Sequence, residues 1–424
     1  MSITDVGTQI LEIPALQRDF REGALYDARR EQIDIGCSLW NTDDLNKIKT
    51  RRNDTPDYVM NTLDKLSEKL SGVHMSAPVQ LSLLSGLIDT RESTVYDYVT
   101  QSKSTRGESS VQVKYFYKTG YKEMSMDQLT NIRYPEVAKT GNNNAATNFV
   151  IKIQYGVGAI FTFTKKCKSR EEEGKDKSEL KHCGEEIKSA LEGKSSHNDE
   201  THRNASSSHS RIKCEFKCFG LSLCEANPTT FDEAVKFASN FRKIVHKSIT
   251  LQEGEKLGVP CTVWLRPLVL LPECADAPKL HCDFNSEQAS QWIKILEDCD
   301  ATEIELKNAL ERTNKIVYDL VFAWILGWPL YLLSIGQLSL SENVRNMRND
   351  VGQKLEYVTK FRSESKTTLR KMIVEVRSGV KTIQDFNQKT NLFAGSLDDI
   401  RKSAKKQPSW FALLTTGRTT RVRQ

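Results

Sequence analysis

The chain has 424 residues, 38% hydrophobic and 27% charged, with a mean hydropathy of -0.50, which excludes wholesale disorder and leaves room for two to three domains. Lys and Arg number 61 against 55 Asp and Glu, a thin surplus that does not form the clustered basic face of a nucleic-acid binder. Seven scattered histidines and ten cysteines without a C-x-x-C pair offer no metal pattern, and the cysteines read as free thiols buried like small hydrophobes.

The first sixteen residues lack the basic and apolar stretches of a conventional signal peptide, so the chain is expected to be cytoplasmic or exported by an unconventional route. Between residues 55 and 107 the pattern predicts helical stretches, such as 58–70, around a segment of strict alternation. There Val73, Met75, Ala77, Val79, Leu81 and Leu83 alternate with His74, Ser76, Pro78, Gln80 and Ser82. Eleven residues of this kind match the ~9–11 that a tilted membrane β-strand needs. The plainer reading is a half-buried strand, which Pro78 pushes toward a sheet edge.

Period-two alternation then predicts strands at 111–117, 149–155 and 159–163, and further strands at 212–223 and 259–271. Cys214 and Cys218 fall in phase with Ile212 and Phe216 and read as core. Tens of residues separate several of these runs, so large inserts stand between consecutive strands. The insert at 165–211 differs from the first. Leu180, Cys183, Ile187 and Leu191 predict a short amphipathic helix ended by Gly193, flanked by charged residues and a Ser/His/Asn tract.

From 285 onward the periodicity becomes helical. Helices are expected at 285–320, from a capping box of Ser339 and Glu342 to Gly379, and at 381–404, together making a bundle. The uncharged run 320–341 is either a buried helix and turn of that bundle or a membrane anchor. The stretch 406–424 is basic and irregular, with the composition of a disordered tail. No Gly-rich phosphate loop, nucleophile elbow or Cys/His dyad emerges, so neither an enzyme nor a cofactor is expected.

Several motifs together resemble the stonustoxin-like family of pore-forming toxins and their non-venom relatives. They are Ile13-Pro-Ala-Leu-Gln-Arg-Asp-Phe-Arg-Glu-Gly-Ala-Leu-Tyr-Asp-Ala-Arg-Arg30, Cys37-Ser-Leu-Trp40, Glu123-Met-Ser-Met-Asp-Gln-Leu129, Tyr155-Gly-Val-Gly-Ala-Ile-Phe161, Asn227-Pro-Thr-Thr-Phe231 and Val259-Pro-Cys-Thr-Val-Trp-Leu-Arg-Pro-Leu268. The resemblance implies an α+β module at 1–284, similar to the membrane-attack-complex/perforin and cholesterol-dependent-cytolysin (MACPF/CDC-like) fold. In it a bent antiparallel four-stranded sheet is flanked by two helical clusters able to refold into membrane hairpins. A C-terminal all-α helical bundle similar to focal-adhesion-targeting domains would follow at 285–405. Tyr155, Gly156 and Gly158 match the family's strand motif, where glycine would let the sheet bend.

Two functions stay open on this evidence. The first is binding to a lipid membrane with self-association into oligomeric pores, with the six apolar residues from Val73 to Leu83 facing lipid. The second is a non-lytic intracellular interaction protein that keeps the fold. It fits the second cluster, whose charges oppose bilayer insertion at ~2–4 kcal/mol for each Lys or Arg at the midplane. No counterpart of the toxins' usual thioredoxin-like and SPRY-type modules is expected within these 424 residues.

Overall fold

The computed structural model describes residues 6–62, 66, 70, 75–88, 108–138, 146–166, 170–194, 211–220, 227–250, 257–325 and 336–405. Among them, eight strands form one antiparallel sheet and eight helices accompany it, so the fold is α+β. The strands are β1 (Leu11–Pro14), β2 (Ala24–Asp27), β3 (Gln32–Ser38), β4 (Thr50–Thr62), β5 (Glu108–Glu123), β6 (Asn148–Lys166), β7 (Lys213–Phe219) and β8 (Val259–Pro267). The helices are α1 (Thr42–Asn46), α2 (Ala77–Leu84), α3 (Met126–Thr130), α4 (Arg170–Leu191), α5 (Phe231–Thr250), α6 (Ser286–Ile325), α7 (Gly336–Arg377) and α8 (Ile383–Lys405).

The expected runs at 149–155 and 159–163 are one 19-residue strand, β6, and it is the hub of the sheet. One edge of β6 pairs with β2 at 148–149 and with β5 from Lys152 to Lys166. The other edge pairs with β8 from Asn148 to Gly156 and with β7 from Gly158 to Thr164. Continuing through β5, the strands run β4-β5-β6-β7, and β1, β2, β3 and β8 extend the sheet at the amino-terminal half of β6.

Alternation seats one apolar row from each central strand on a common face. Val111, Val113, Tyr115 and Tyr117 lie opposite Phe163, Phe161, Ala159 and Val157, and Phe163 and Phe161 in turn lie opposite Cys214 and Phe216. All are buried. Helices α4 and α5 cover this face: Leu180, Cys183, Ile187 and Leu191 from the first, and Phe231, Ala234, Val235, Phe241 and Val245 from the second. Full burial of such side chains contributes roughly 1.5–3 kcal/mol each, which makes this layer the principal source of stability for the sheet.

Three expectations are corrected. Residues 58–62 are strand rather than helix, because the backbone of β4 pairs with β5 from Thr50 to Thr62 and that long ladder overrides local helical spacing. The strand expected at 259–271 stops at Pro267 and gives way to a 3-10 turn at Leu268–Leu270. Helix α7 opens at Gly336, so Ser339 lies inside it and is not its cap. The amphipathic helix of the second insert is also longer than its apolar stripe suggests, since the acidic run at 171–173 is its first turn. Its terminator is as read: Gly193 at φ +71 closes α4 with hydrogen bonds from Gly193 N to Ala190 O and from Lys194 N to Ser189 O.

The described residues fall into two units, one of Met1–Ser286 with Ile373–Val380 and one of Glu287–Met372 with Lys381–Gln424. In the second unit Trp292 is fully buried against Phe386 and Phe393 and donates from Nε1 to Thr390 Oγ1 at 2.9 Å. Val344, Met347, Val351, Val358, Phe361 and Leu369 make a buried apolar stripe along α7. Among the described residues no helix is long and apolar enough to cross a membrane. Residues 326–335, the centre of the uncharged run, and the tail 406–424 lie outside the described residues.

Eight of the ten cysteines are described, and all eight are free thiols. Burial pushes the thiols of Cys183, Cys214, Cys218 and Cys299 up to about 12. These four are therefore expected to resist alkylation in native protein near neutral pH and to react after unfolding, because the thiolate is the nucleophile. Peptide mapping after pulsed alkylation checks this, and rapid native labelling of any of the four would contradict the packing.

Candidate functional site

The alternating segment does not form a strand in this structure. Met75 to Leu84 enters helix α2, with Ser76 extended just before it and Pro78 in its first turn, where a missing N–H costs nothing. Pro78 thus starts a helix instead of marking a sheet edge. Met75, Val79, Leu81 and Leu83 are buried, and so are Ser82 and Leu84, while Ala77 is half-buried. Burial on nearly all sides is a property of the surroundings, and an alternating pattern cannot report it. Val73 and His74 lie outside the described residues.

A charged cluster lies beside α2. Ser82 Oγ donates to Glu31 Oε1 at 2.9 Å, and the other Glu31 oxygen accepts from the Tyr26 hydroxyl. Arg377 Nη1 donates to Glu31 Oε1 at 3.0 Å and to Ala28 O at 3.1 Å, and its Nη2 lies 3.3 Å from Asp283 Oδ1. Arg18 Nη1 approaches Glu31 Oε2 to 3.6 Å, while its Nε and Nη2 bond the carbonyls of Ala15 and Pro14. The side chains of Arg18, Glu31 and Arg377 are 7%, 4% and 3% exposed. Burial opposes charge on Glu31, but Arg377 and then Arg18 hold its carboxyl below the usual range. For Asp283 burial prevails and raises the carboxyl despite Arg377.

The second candidate feature is the point where β6 changes partner. Tyr155 and Gly156 are the last residues paired with β8, and Gly158 is the first paired with β7. Both neighbours slip in register here: Thr119 of β5 is extra between Lys118↔Gly156 and Gly120↔Tyr155, and Cys261 of β8 is extra between Thr262↔Gln154 and Pro260↔Tyr155. Gln154 Nε2 stitches the bulge by donating to Gly120 O at 2.7 Å, and the Thr119 hydroxyl donates to Leu257 O. The glycines are required by contact. A Cβ on Gly156 would lie 2.5 Å from Tyr117 O, and one on Gly158 would lie 1.8 Å from the Phe219 ring. Tyr155 donates its hydroxyl to Glu22 Oε1 at 2.7 Å.

The second cluster is anchored electrostatically. Lys165, near the end of β6, reaches Asp176 at 2.8 Å and Glu179 at 2.6 Å on α4. Residues 195–210 lie outside the described residues.

The family-like motifs acquire physical roles in this frame. Trp40 donates from Nε1 to Gln128 O at 2.7 Å, and Ser125 and Gln128 form the capping box of α3. Thr230 and Glu233 cap α5 reciprocally and deliver Phe231 to Phe163. Sequence reading misses Glu31 and Arg377, and also Gly220 and Gly258, whose backbones crowd the carbonyl oxygen of Gly156. Each acts through a partner distant in sequence, and no local pattern marks it.

A sheet of this topology, flanked by these helices, has the fold of stonustoxin, whose solved structure aligns over 93% of this chain and 49% of its own, with a TM-score of 0.51 at 18% identity. In sequence the chain is similar to subunits of cytolytic toxins and stonustoxin. Cytolytic toxin-beta of Scorpaena plumieri is 28% identical over 319 residues, 72% of this chain and 42% of the relative. Stonustoxin subunit beta of Synanceia horrida is 28% identical over 312 residues, 72% of this chain and 41% of the relative. The chain therefore spans less than half the length of these curated relatives. No family model matches it.

Proposed function

We propose that this chain is a non-enzymatic, membrane-acting protein of the cytolysin kind, which binds a lipid membrane, self-associates and inserts β-hairpins from its two clusters. It would be membrane-associated when active. The carrying observation is the similarity to proteins named cytolytic toxins, which covers 72% of the chain. A closed barrel built by many protomers would satisfy every backbone group in lipid, which an open hairpin from one chain cannot do. In that state Val73, Met75, Ala77, Val79, Leu81 and Leu83 face lipid, while His74, Ser76, Gln80 and Ser82 face the lumen.

Dye release from liposomes, combined with electron microscopy for rings, tests this reading. Leu81→Arg is expected to abolish leakage, because Arg at the midplane costs ~2–4 kcal/mol. Gln80→Arg is expected to preserve it. Leu81 is fully buried in α2, so thermal melts of both variants must accompany the assay. Equal leakage from two folded variants would remove the segment from the mechanism. Failure of the parent chain to release dye or form rings on any of several lipid compositions would favour the non-lytic interaction protein, a reading supported by the charged residues of α4.

A further inference from the structure

Helix α2 is apolar on nearly every side, yet its buried Ser82 hydroxyl leaves the helix to meet a carboxylate. Other polar groups of the segment bond locally: Gln80 Nε2 to Met75 O at 3.0 Å, and Ser85 Oγ to Ser82 O at 3.0 Å. The receiving residue, Glu31, sits in the left-handed region at φ +58, a conformation that a non-glycine side chain adopts at a cost. Its strain is offset by what surrounds it. Two guanidinium groups, one tyrosine hydroxyl and one serine hydroxyl converge on its two oxygens. They come from four stretches: Arg18 after β1, Tyr26 on β2, Ser82 on α2 and Arg377 at the end of α7. Arg377 also points Nη2 toward Pro78 O at 3.5 Å, so it stands over the first turn of the same helix.

We propose that Glu31, pinned between Arg18 and Arg377, is a clamp that holds α2 in its folded place, and that loss of the Ser82–Glu31 hydrogen bond is the step that frees the segment. The functional meaning of the clamp rests on the membrane-inserting reading, but its existence in the soluble protein does not. Glu31 keeps its ion pairs with Arg18 and Arg377 whether or not the Ser82 hydroxyl is bonded to it. The tie from Glu31 to α2 is one neutral hydroxyl, which can let go without exposing an unpaired charge, and Arg377 adds only its longer 3.5 Å contact with Pro78 O. A fixed charged frame with one weak, separable tie is the arrangement a release device needs.

The test is hydrogen exchange on the full chain in solution, without lipid, followed through amides 79–88. Ser82→Ala removes only the tie. It is expected to accelerate exchange there about tenfold, which is ~1.4 kcal/mol and the order of one hydrogen bond to a charged group, while amides 111–117 keep their protection. Glu31→Gln keeps the shape and weakens the acceptor, and it should accelerate the same amides. Adding Ser82→Ala to Glu31→Gln should then accelerate them at most threefold further, because coupled partners are not additive. Unchanged exchange in Ser82→Ala, or an equal tenfold increment in both backgrounds, would overturn the clamp. Liposome leakage of Ser82→Ala is measured separately. If exchange accelerates as expected while no leakage occurs, the clamp stands and the pore reading fails.

Discussion

Replacing Glu31 with alanine is expected to destabilise the first unit by about 3–5 kcal/mol, because it strands two buried guanidinium groups whose shared counter-charge is gone. In a unit of this size that corresponds to a fall in Tm of roughly 10 °C. Asp283→Asn is expected to change stability at neutral pH by less than about 1 kcal/mol. Burial already raises the Asp283 carboxyl, so its charge is a liability at neutral pH, and an amide oxygen can still accept from Arg377. The two carboxylates therefore act with opposite signs on pH dependence. Glu31 lies below its ordinary value when folded, so the stability it contributes is present above about pH 4 and is lost as pH falls through its lower folded value. Asp283 lies above its ordinary value, so protonation on acidification relieves a cost. Chemical denaturation of both variants from roughly pH 3 to 7, a window that spans the ordinary carboxylate range near pH 4, checks the signs. Equal losses from the two substitutions at neutral pH would refute the assignment of Glu31 as the hub.

Gly258→Ala, just ahead of β8, is expected to be the most damaging substitution among the described glycines with positive φ. Gly258 stands at φ +89, and a Cβ there would lie 2.1 Å from the carbonyl oxygen of Gly156. The conformation alone costs roughly 1–2 kcal/mol for an L-residue. The clash is with backbone, held on both sides by β5 and β8, and it cannot be relieved by rotating a side chain. A total above about 3 kcal/mol is expected. Gly193→Ala is the matched comparison, since Gly193 also has positive φ, +71, but nothing lies within 4 Å of the Cβ position. Its loss should stay near the conformational cost of about 1–2 kcal/mol. Denaturant melts give the difference directly. If both variants lose the same amount, the crowding at the β6 fork is not an energetic constraint.

The legible parts of the fold are those written in local periodicity. β5 and β6 alternate cleanly because one face of each is sealed by helices, and α7 carries a continuous stripe because it is long and half-solvated. Helix α5 was equally open to a periodic reading, with Phe231, Ala234, Val235, Ala238, Phe241 and Val245 buried at three- and four-residue spacing. β4 was obscured because the pairing that decides it comes from β5, some fifty residues on. The segment around α2 shows the opposite failure. Its alternation suits a strand, but its surroundings bury nearly every side of a helix, and only the second requirement applies in this folded state. Glu31 and Arg377 are 346 positions apart, so their pairing leaves no trace in either neighbourhood.

Gly220 and Gly258 crowd the same carbonyl oxygen, that of Gly156, which a Cβ on the former would meet at 2.8 Å and one on the latter at 2.1 Å. The three positions therefore cannot drift independently. A side chain at either outer position requires the central peptide to shift, and the shift changes how β6 divides its edge between β7 and β8. Once that division has changed, the other outer glycine no longer answers to the old constraint. Glycine at each of the three positions is thus held in place by the backbone of its neighbours, and a side chain at one of them is a burden on all three.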